Sequence, residues 1–591
     1  MGQFFKYLFA SLLGTLIGLT IFSFLGLMIV LGIVMASGGG EDKSIADNSV
    51  LRINLEHEIE ERSSDDIWGS LSPFDSEERG TIGLLNLRQS IRHAKSDDKI
   101  KGIFLDLHNT HHGFASLEEL RNALIDFKSS GKFIVAYSET YSEGSYYLAS
   151  VADKIFLPSS GLLEFNGLNV EMLYFKGTLE KLQIKPEVFK VGEFKSAVEP
   201  FLLDKMSDAN RTQIKSFLNS IYNTYLENVA KARGVDAKNL ADISSNMLVR
   251  NAEDALKYKL ITDVGYLDEA GAWMRTKLNK GPKDKIDFIS FNKYEAAIDQ
   301  HKPHDDDADV AVIFASGDIQ QGKGNDHVIG SEKTAGEIRK ARMNDKVKAI
   351  VLRINSPGGS AIASDIIWRE IDLASKTKPV IASMSDVAAS GGYYIAMACD
   401  TIVAQPTTIT GSIGVFGLLF NGKEFLKEKL GITTDGEKTG KYSDLMTFTR
   451  ELTDEEKSII QLEVEKIYGD FTTKAAQGRN MNVEDLRAVA EGRVWSGSEA
   501  KKIGLIDLYG GLDDAIDIAA KKAKLAEGYS VSYFPEQKNM LLKQLFSSFN
   551  EEVKVDFGPE FSRYYPYIKT LKDLEQMEGV QARLPYKFII K

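Results

Sequence analysis

Apolar and polar positions alternate along most of the chain in a way that predicts strands and helices in turn. Val50 to Leu55 reads as a strand, and the apolar positions from Leu84 to Ala94 recur at helical spacing. Lys101 to Leu107 is an apolar run short enough for a buried strand. Leu117 to Phe127 follows as a helix and Lys132 to Tyr137 as the next strand. Strands separated by helices imply parallel pairing through crossover connections, hence an α/β fold. Two polar stretches interrupt the pattern. Ser63 to Gly80 reads as a turn-rich insertion, and Asp299 to Asp309, with three consecutive aspartates, as a linker.

Beyond that linker the pattern starts again. Asp98 to Ile103 matches Asp345 to Ile350, and Gly144 to Ala149 matches Gly391 to Ala396. Ala255 to Ile261 matches Ala500 to Ile506. The nearly constant spacing of these matches indicates duplication of a whole domain, with a period far too long for a solenoid. At the start of the chain, Tyr7 to Ser37 carries no charge. That exceeds the roughly 20 residues needed to cross a bilayer and the shorter core of a cleaved signal peptide. It predicts a transmembrane helix, with Lys6 before it and Glu41 and Asp42 after it. The positive-inside rule then puts the N-terminus in the cytoplasm and everything after residue 45 outside it. The predicted organisation is an anchor over 1–45, a first repeat over 46–300, a second over 301–540 and a tail over 541–591. Phe546, Phe549, Phe557, Phe561, Tyr564, Tyr565 and Tyr567 make the tail a candidate for a subunit interface.

Composition narrows the picture only a little. A chain of 591 residues is too long for one domain, and 43% hydrophobic with 26% charged residues is ordinary for a globular protein. The net charge of −12, without a basic stripe, argues against nucleic acid as a partner. Cys399 is the single cysteine and sits among apolar residues, so no intrachain disulfide is possible.

The candidate chemistry lies where the two copies differ. An apolar run from Pro379 to Met384 leads to Ser390-Gly391-Gly392, read as a turn, and then to a helix starting near Tyr393. Backbone N–H groups at a helix start lack intrahelical partners, which suits a serine nucleophile; a helix-capping serine is the bland alternative. The first copy has Glu143 at the position of Ser390. Gly358 and Gly359 follow the strand Ala349 to Ile354, while the first copy has no paired glycines there. Such glycines can aim backbone donors at an oxyanion, or simply make a turn.

A nucleophilic serine needs a base. No histidine lies beyond His327, which sits in a polar loop, and His111 and His112 lack a second ligand pair at metal spacing. Two lysines compete for the role: Lys195 in the first copy and Lys441 in the second. Aligning the copies pairs Lys195 with Ser443, so one copy keeps a lysine and the other keeps the serine and the glycines.

Together, Ser356 to Ser360, Ser385 to Tyr394, Thr410 to Gly414 and Phe194 to Phe201 resemble the signal peptide peptidase A (protease IV) family, in its long, duplicated, membrane-anchored form. The resemblance implies two tandem crotonase/Clp-protease-like domains and a serine peptidase with a Ser/Lys dyad. In that family's terms Ser390 matches the nucleophile, Lys195 the base and Ser412 the serine that orients the lysine. Gly358 and Gly359 match the oxyanion donor. No metal or cofactor is implied. The implied substrates are cleaved signal peptides left in the inner membrane, the implied location is that membrane with the catalytic domains in the periplasm, and the implied assembly is a homotetramer. Two other readings compete: a crotonase-like acyl-CoA enzyme without a covalent serine, and a non-catalytic membrane scaffold on the same fold.

Overall fold

The structure, a computed structural model, describes residues 2–37, 45–55, 59–63, 81–107, 112–298, 308–325, 327–536 and 579–584. Each repeat is built on a largely parallel sheet. In the first, strands run in the order Asp263–Val264, Lys154–Leu157, Phe133–Tyr137, Ile100–Asp106, Ser49–Asn54 and Phe288–Ser290, every pair parallel. In the second, Leu508–Tyr509, Thr401–Ala404, Val380–Ala389, Ala349–Ser356, Val310–Ser316 and Val531–Phe534 repeat that order, again all parallel. Strands such as Phe133–Tyr137 are buried at every position, as a parallel sheet covered on both faces requires. The α/β fold and the duplication read from the sequence therefore both hold.

A third sheet joins the repeats and carries the site. Lys185–Val191, from the first repeat, lies antiparallel to Val415–Asn421 of the second, with Val191 opposite Val415. Next come Gly579–Arg583, Gly358–Ser360 and Asp318–Gln320. The tail thus contributes a strand to this sheet. The aromatic residues from Phe546 to Tyr567 lie outside the described residues, as do most of the Ser63 to Gly80 insertion and of the Asp299 to Asp309 linker.

A charged cluster is buried where the repeats meet. Arg353 is fully buried, with Nε 2.7 Å from Glu61 and Nη1 2.7 Å from Glu119, both carboxylates from the first repeat. It also donates to the hydroxyls of Ser383 and Ser385. Burial works against the charge, but Glu119 and Glu61 more than offset it and hold the Arg353 pKa above its ordinary value. Nearby, Asp386 accepts from the backbone N–H of Ser116 at 2.8 Å, so the strand leading to Ser390 caps the first repeat's helix Phe114–Lys128.

The expected membrane anchor is overturned. Residues Gly2–Ser37 do form a helix. Among the described residues no helix is long and apolar enough to cross a membrane. The transmembrane segment of the 1–45 unit, the single-pass inner-membrane location with a cytoplasmic N-terminus and periplasmic domains, and the membrane as a partner all fall with it.

Candidate active site

Ser390 follows the strand Val380–Ala389, which runs further than the apolar pattern predicts because its polar residues are satisfied: Ser383 and Ser385 by Arg353 of the neighbouring strand, and Asp386 by Ser116 of the first repeat. Its backbone has φ 55° and ψ −112°, a conformation uncommon for a residue with a side chain and frequent at functional sites. Two hydrogen bonds fix it: Ser390 N–H donates to Gly411 O at 2.8 Å, and Tyr394 N–H donates to Ser390 O at 2.8 Å. Ser412 has φ 50°, and its N–H donates to Arg493 O at 2.7 Å.

Lys195 arrives from the other repeat, just past the strand Lys185–Val191 that pairs with Val415–Asn421. Its Nζ lies 2.9 Å from Ser390 Oγ, 3.1 Å from Ser412 Oγ and 3.2 Å from Ser412 O. Lys195, Ser390 and Ser412 are each fully buried. Burial disfavours the ammonium and lowers the Lys195 pKa to about 7. An amine so placed can be neutral near neutral pH and take a proton from the serine hydroxyl.

The lysine stem is packed against glycines that the sequence reading did not single out. A Cβ on Gly492, whose φ is +76°, would come 2.7 Å from Lys195 Cβ, and one on Gly414 would come 3.2 Å from Lys195 Cδ. Gln213 was missed as well. Its amide nitrogen donates to Phe194 O and Ser196 Oγ, on either side of the lysine, and its oxygen accepts from Val494 N–H of the second repeat. A glutamine on the long helix Asp208–Arg233 reads as surface in a sequence; only its burial at 0% exposure reveals the tie.

Gly358 and Gly359 form a strand beside Ser390, with φ +103° and +157°. A Cβ on Gly358 would come 2.7 Å from Gly391 N, which brings the glycine pair against the residue following the serine. Gly358 N–H itself donates to Ser356 Oγ at 3.1 Å.

The competing residues are elsewhere. Lys441 is exposed and bonded to Glu455, and Ser443 is exposed with its hydroxyl donating to Gly440 O. His112 Nδ1 accepts from Ile59 N–H, His327 is exposed, and His111 lies outside the described residues. At the first repeat's equivalent of Ser390, Glu143 accepts from the N–H groups of Asn166 and Gly167.

Comparison with known proteins gives the family. The family model "Peptidase family S49" matches residues 126–280 and 372–526, one segment in each repeat. "Protease 4" of Salmonella typhi is 35% identical over 537 residues, covering 88% of this chain and 86% of that protein. "Serine protease SPPA, chloroplastic" of Arabidopsis thaliana is 36% identical over 512 residues, covering 85% of this chain and 74% of that protein. Among solved structures, a ClpP1 mutant of Listeria monocytogenes is 16% identical. It covers 35% of this chain and 94% of its own with a TM-score of 0.24, a likeness too slight to bear on the fold. The doubled family match and the near full-length relatives place this chain in peptidase family S49, as a serine peptidase of the Ser/Lys dyad type.

Proposed function

We propose that Ser390 is the nucleophile and that Lys195, donated by the first repeat, is its general base. The observation that carries this reading is the 2.9 Å approach of a fully buried lysine amine to a fully buried serine hydroxyl. Ser390 Oγ attacks a peptide carbonyl while its proton passes to Lys195 Nζ. The amine then returns the proton to the departing amino group, leaving an acyl-enzyme. Water, deprotonated by the same amine, releases the acyl group and restores Ser390. Ser412 holds the amine in line with the hydroxyl. The backbone N–H groups of Gly359 and Gly391 supply the oxyanion donors, and Gly358, whose own N–H is held by Ser356 Oγ, keeps the backbone open beside Gly391. The division near residue 300 into a lysine-donating repeat and a nucleophile-bearing repeat belongs to this reading.

A fluorophosphonate should add to Ser390 alone, detected by mass spectrometry, and Ser390→Ala should lose both the adduct and peptidase activity. An adduct elsewhere, or an active Ser390→Ala, would overturn the assignment. The pH profile follows from the base. The amine is competent above its pKa, so kcat/KM should climb with pH and level off just above pH 7. Below that it should fall by about tenfold per unit. A rise centred near pH 10, the range of an exposed lysine, would exclude Lys195 as the base.

The glycines carry a separate prediction. A side chain on Gly358 would come 2.1 Å from Ala582 O, and one on Gly359 would come 2.1 Å from Ile319 O. Gly358→Val and Gly359→Val should each cost about 100- to 1000-fold in kcat, the scale of a lost oxyanion donor. Near-normal turnover in both folded variants would count against an oxyanion role.

A further inference from the structure

The strand Gly579–Arg583 lies between the two strands that border the reacting serine. On one side it is antiparallel to Gly358–Ser360, with Arg583 opposite Gly358 and Ala582 opposite Gly359. On the other it is antiparallel to Val415–Asn421, with Gln581 opposite Phe416. Leu584 N–H continues the pairing by donating to Pro357 O at 2.7 Å. An extended peptide held for hydrolysis needs this arrangement: backbone pairing on both sides and one carbonyl turned to the oxyanion donors. The Ala582 carbonyl lies against the glycines proposed to supply those donors. Its oxygen lies 2.1 Å from a Cβ placed on Gly358 and 3.0 Å from one placed on Gly391.

The side chains alternate as in any strand. Ala582 is fully buried, and Leu584, 2% exposed, belongs to the apolar cluster that holds Ala389, Ile409 and Val494. Arg583, on the opposite face, pairs with Asp318 at 2.9 Å; their side chains are 11% and 20% exposed. Asp318 sits on a fixed support. Gly317, just before it, accepts from Ser356 Oγ at 2.6 Å and donates to Asn355 O at 2.9 Å, and Ile319, just after it, pairs with Gly359. The carboxylate therefore stands at a set distance from the glycine pair.

We propose that Asp318 is a specificity-determining residue that selects a lysine or arginine directly after a small residue whose carbonyl faces the oxyanion donors. The preferred substrates are then extended segments of the order small, basic, aliphatic, and residues 582–584 are their intramolecular counterpart. The inference rests on the Ser390/Lys195 reading above. A glutamate in place of the basic residue would face Asp318 in a partly buried site, where like charges are strongly disfavoured.

The test uses the full chain and two internally quenched peptides: the sequence of residues 580–584, and the same peptide with glutamate replacing its arginine. The unaltered enzyme should favour the arginine peptide by roughly 100-fold in kcat/KM, the scale of a like-charge contact. Mass spectrometry should place the cut after the alanine. Asp318→Asn should shrink the preference by about tenfold or more, and Asp318→Arg should reverse it. Arg583→Glu should lower KM for the arginine peptide by loosening the chain's own strand, and Asp318→Arg combined with Arg583→Glu should restore the hold. An unchanged preference in Asp318→Asn and Asp318→Arg, or a cut at another bond, would overturn the proposal. Fluorophosphonate labelling of each variant separates the two readings. Normal labelling of Ser390 with unchanged preference refutes the role of Asp318 alone; absence of labelling at Ser390 in the unaltered enzyme refutes the dyad.

Discussion

Lys195→Ala is expected to lower kcat/KM by about 10⁴-fold or more, while Lys441→Ala stays within a few-fold of the unaltered enzyme. The difference is one of distance and of environment. Lys195 Nζ is 2.9 Å from the Ser390 hydroxyl, and burial brings its pKa to about 7. Lys441 is exposed, and its hydrogen bond to Glu455 raises its pKa, so it stays an ammonium and has no capacity to accept a proton. Lys195→Arg should be as inactive as Lys195→Ala, because a guanidinium does not deprotonate in proteins. Lys195→Met supplies the control for folding. It removes a buried amine without emptying the space, so its Tm should equal or exceed that of the unaltered protein while activity is lost. Steady-state kinetics on one peptide substrate decides the matter. An inactive Lys441→Ala beside an active Lys195→Ala would place the base in the second repeat and end the shared-site reading.

Arg353→Ala should cost about 3–5 kcal/mol of stability, the usual penalty for breaking a buried ion pair from one side. The substitution leaves Glu61 and Glu119 facing each other's charge without the guanidinium that both contact, and Arg88 remains to neutralise only Glu119. It also removes the donors to Ser383 and Ser385 on the strand that leads to Ser390. Loss of activity on warming should therefore accompany the fall in Tm. Replacing Arg353 by Met together with Glu61 and Glu119 by Leu should regain most of the stability, since a packed apolar set of similar volume often equals a buried ion triad. Equilibrium denaturation measures both. A loss below about 1 kcal/mol in Arg353→Ala would mean that the cluster is hydrated and does not bind the repeats together.

The repeats were legible because parallel strands buried on both faces leave continuous apolar runs, and the same runs recur along the chain. The differences between copies then pointed to Ser390, Gly358, Gly359 and Lys195. What escaped was long-range pairing. Gly579–Arg583 has only Val580 and Ala582 for apolar character, and its partners lie far away in sequence at Gly358–Ser360 and Val415–Asn421. Nothing in the sequence marks Gln213 or Asp386 as buried, but each is satisfied by a group from the other repeat. The length of the apolar stretch from Tyr7 to Ser37 suggested an anchor that the described helix does not bear out.

On the reading proposed above, the strand Lys185–Val191 brings the base from the half of the protein made first to a nucleophile in the half made last. A ribosome releases the chain from its N-terminus, so the early half emerges with an amine that has no hydroxyl beside it. No hydrolytic centre exists until the sequence past Ser412 has emerged and docked against it. The order of synthesis itself then delays the chemistry until folding is nearly complete.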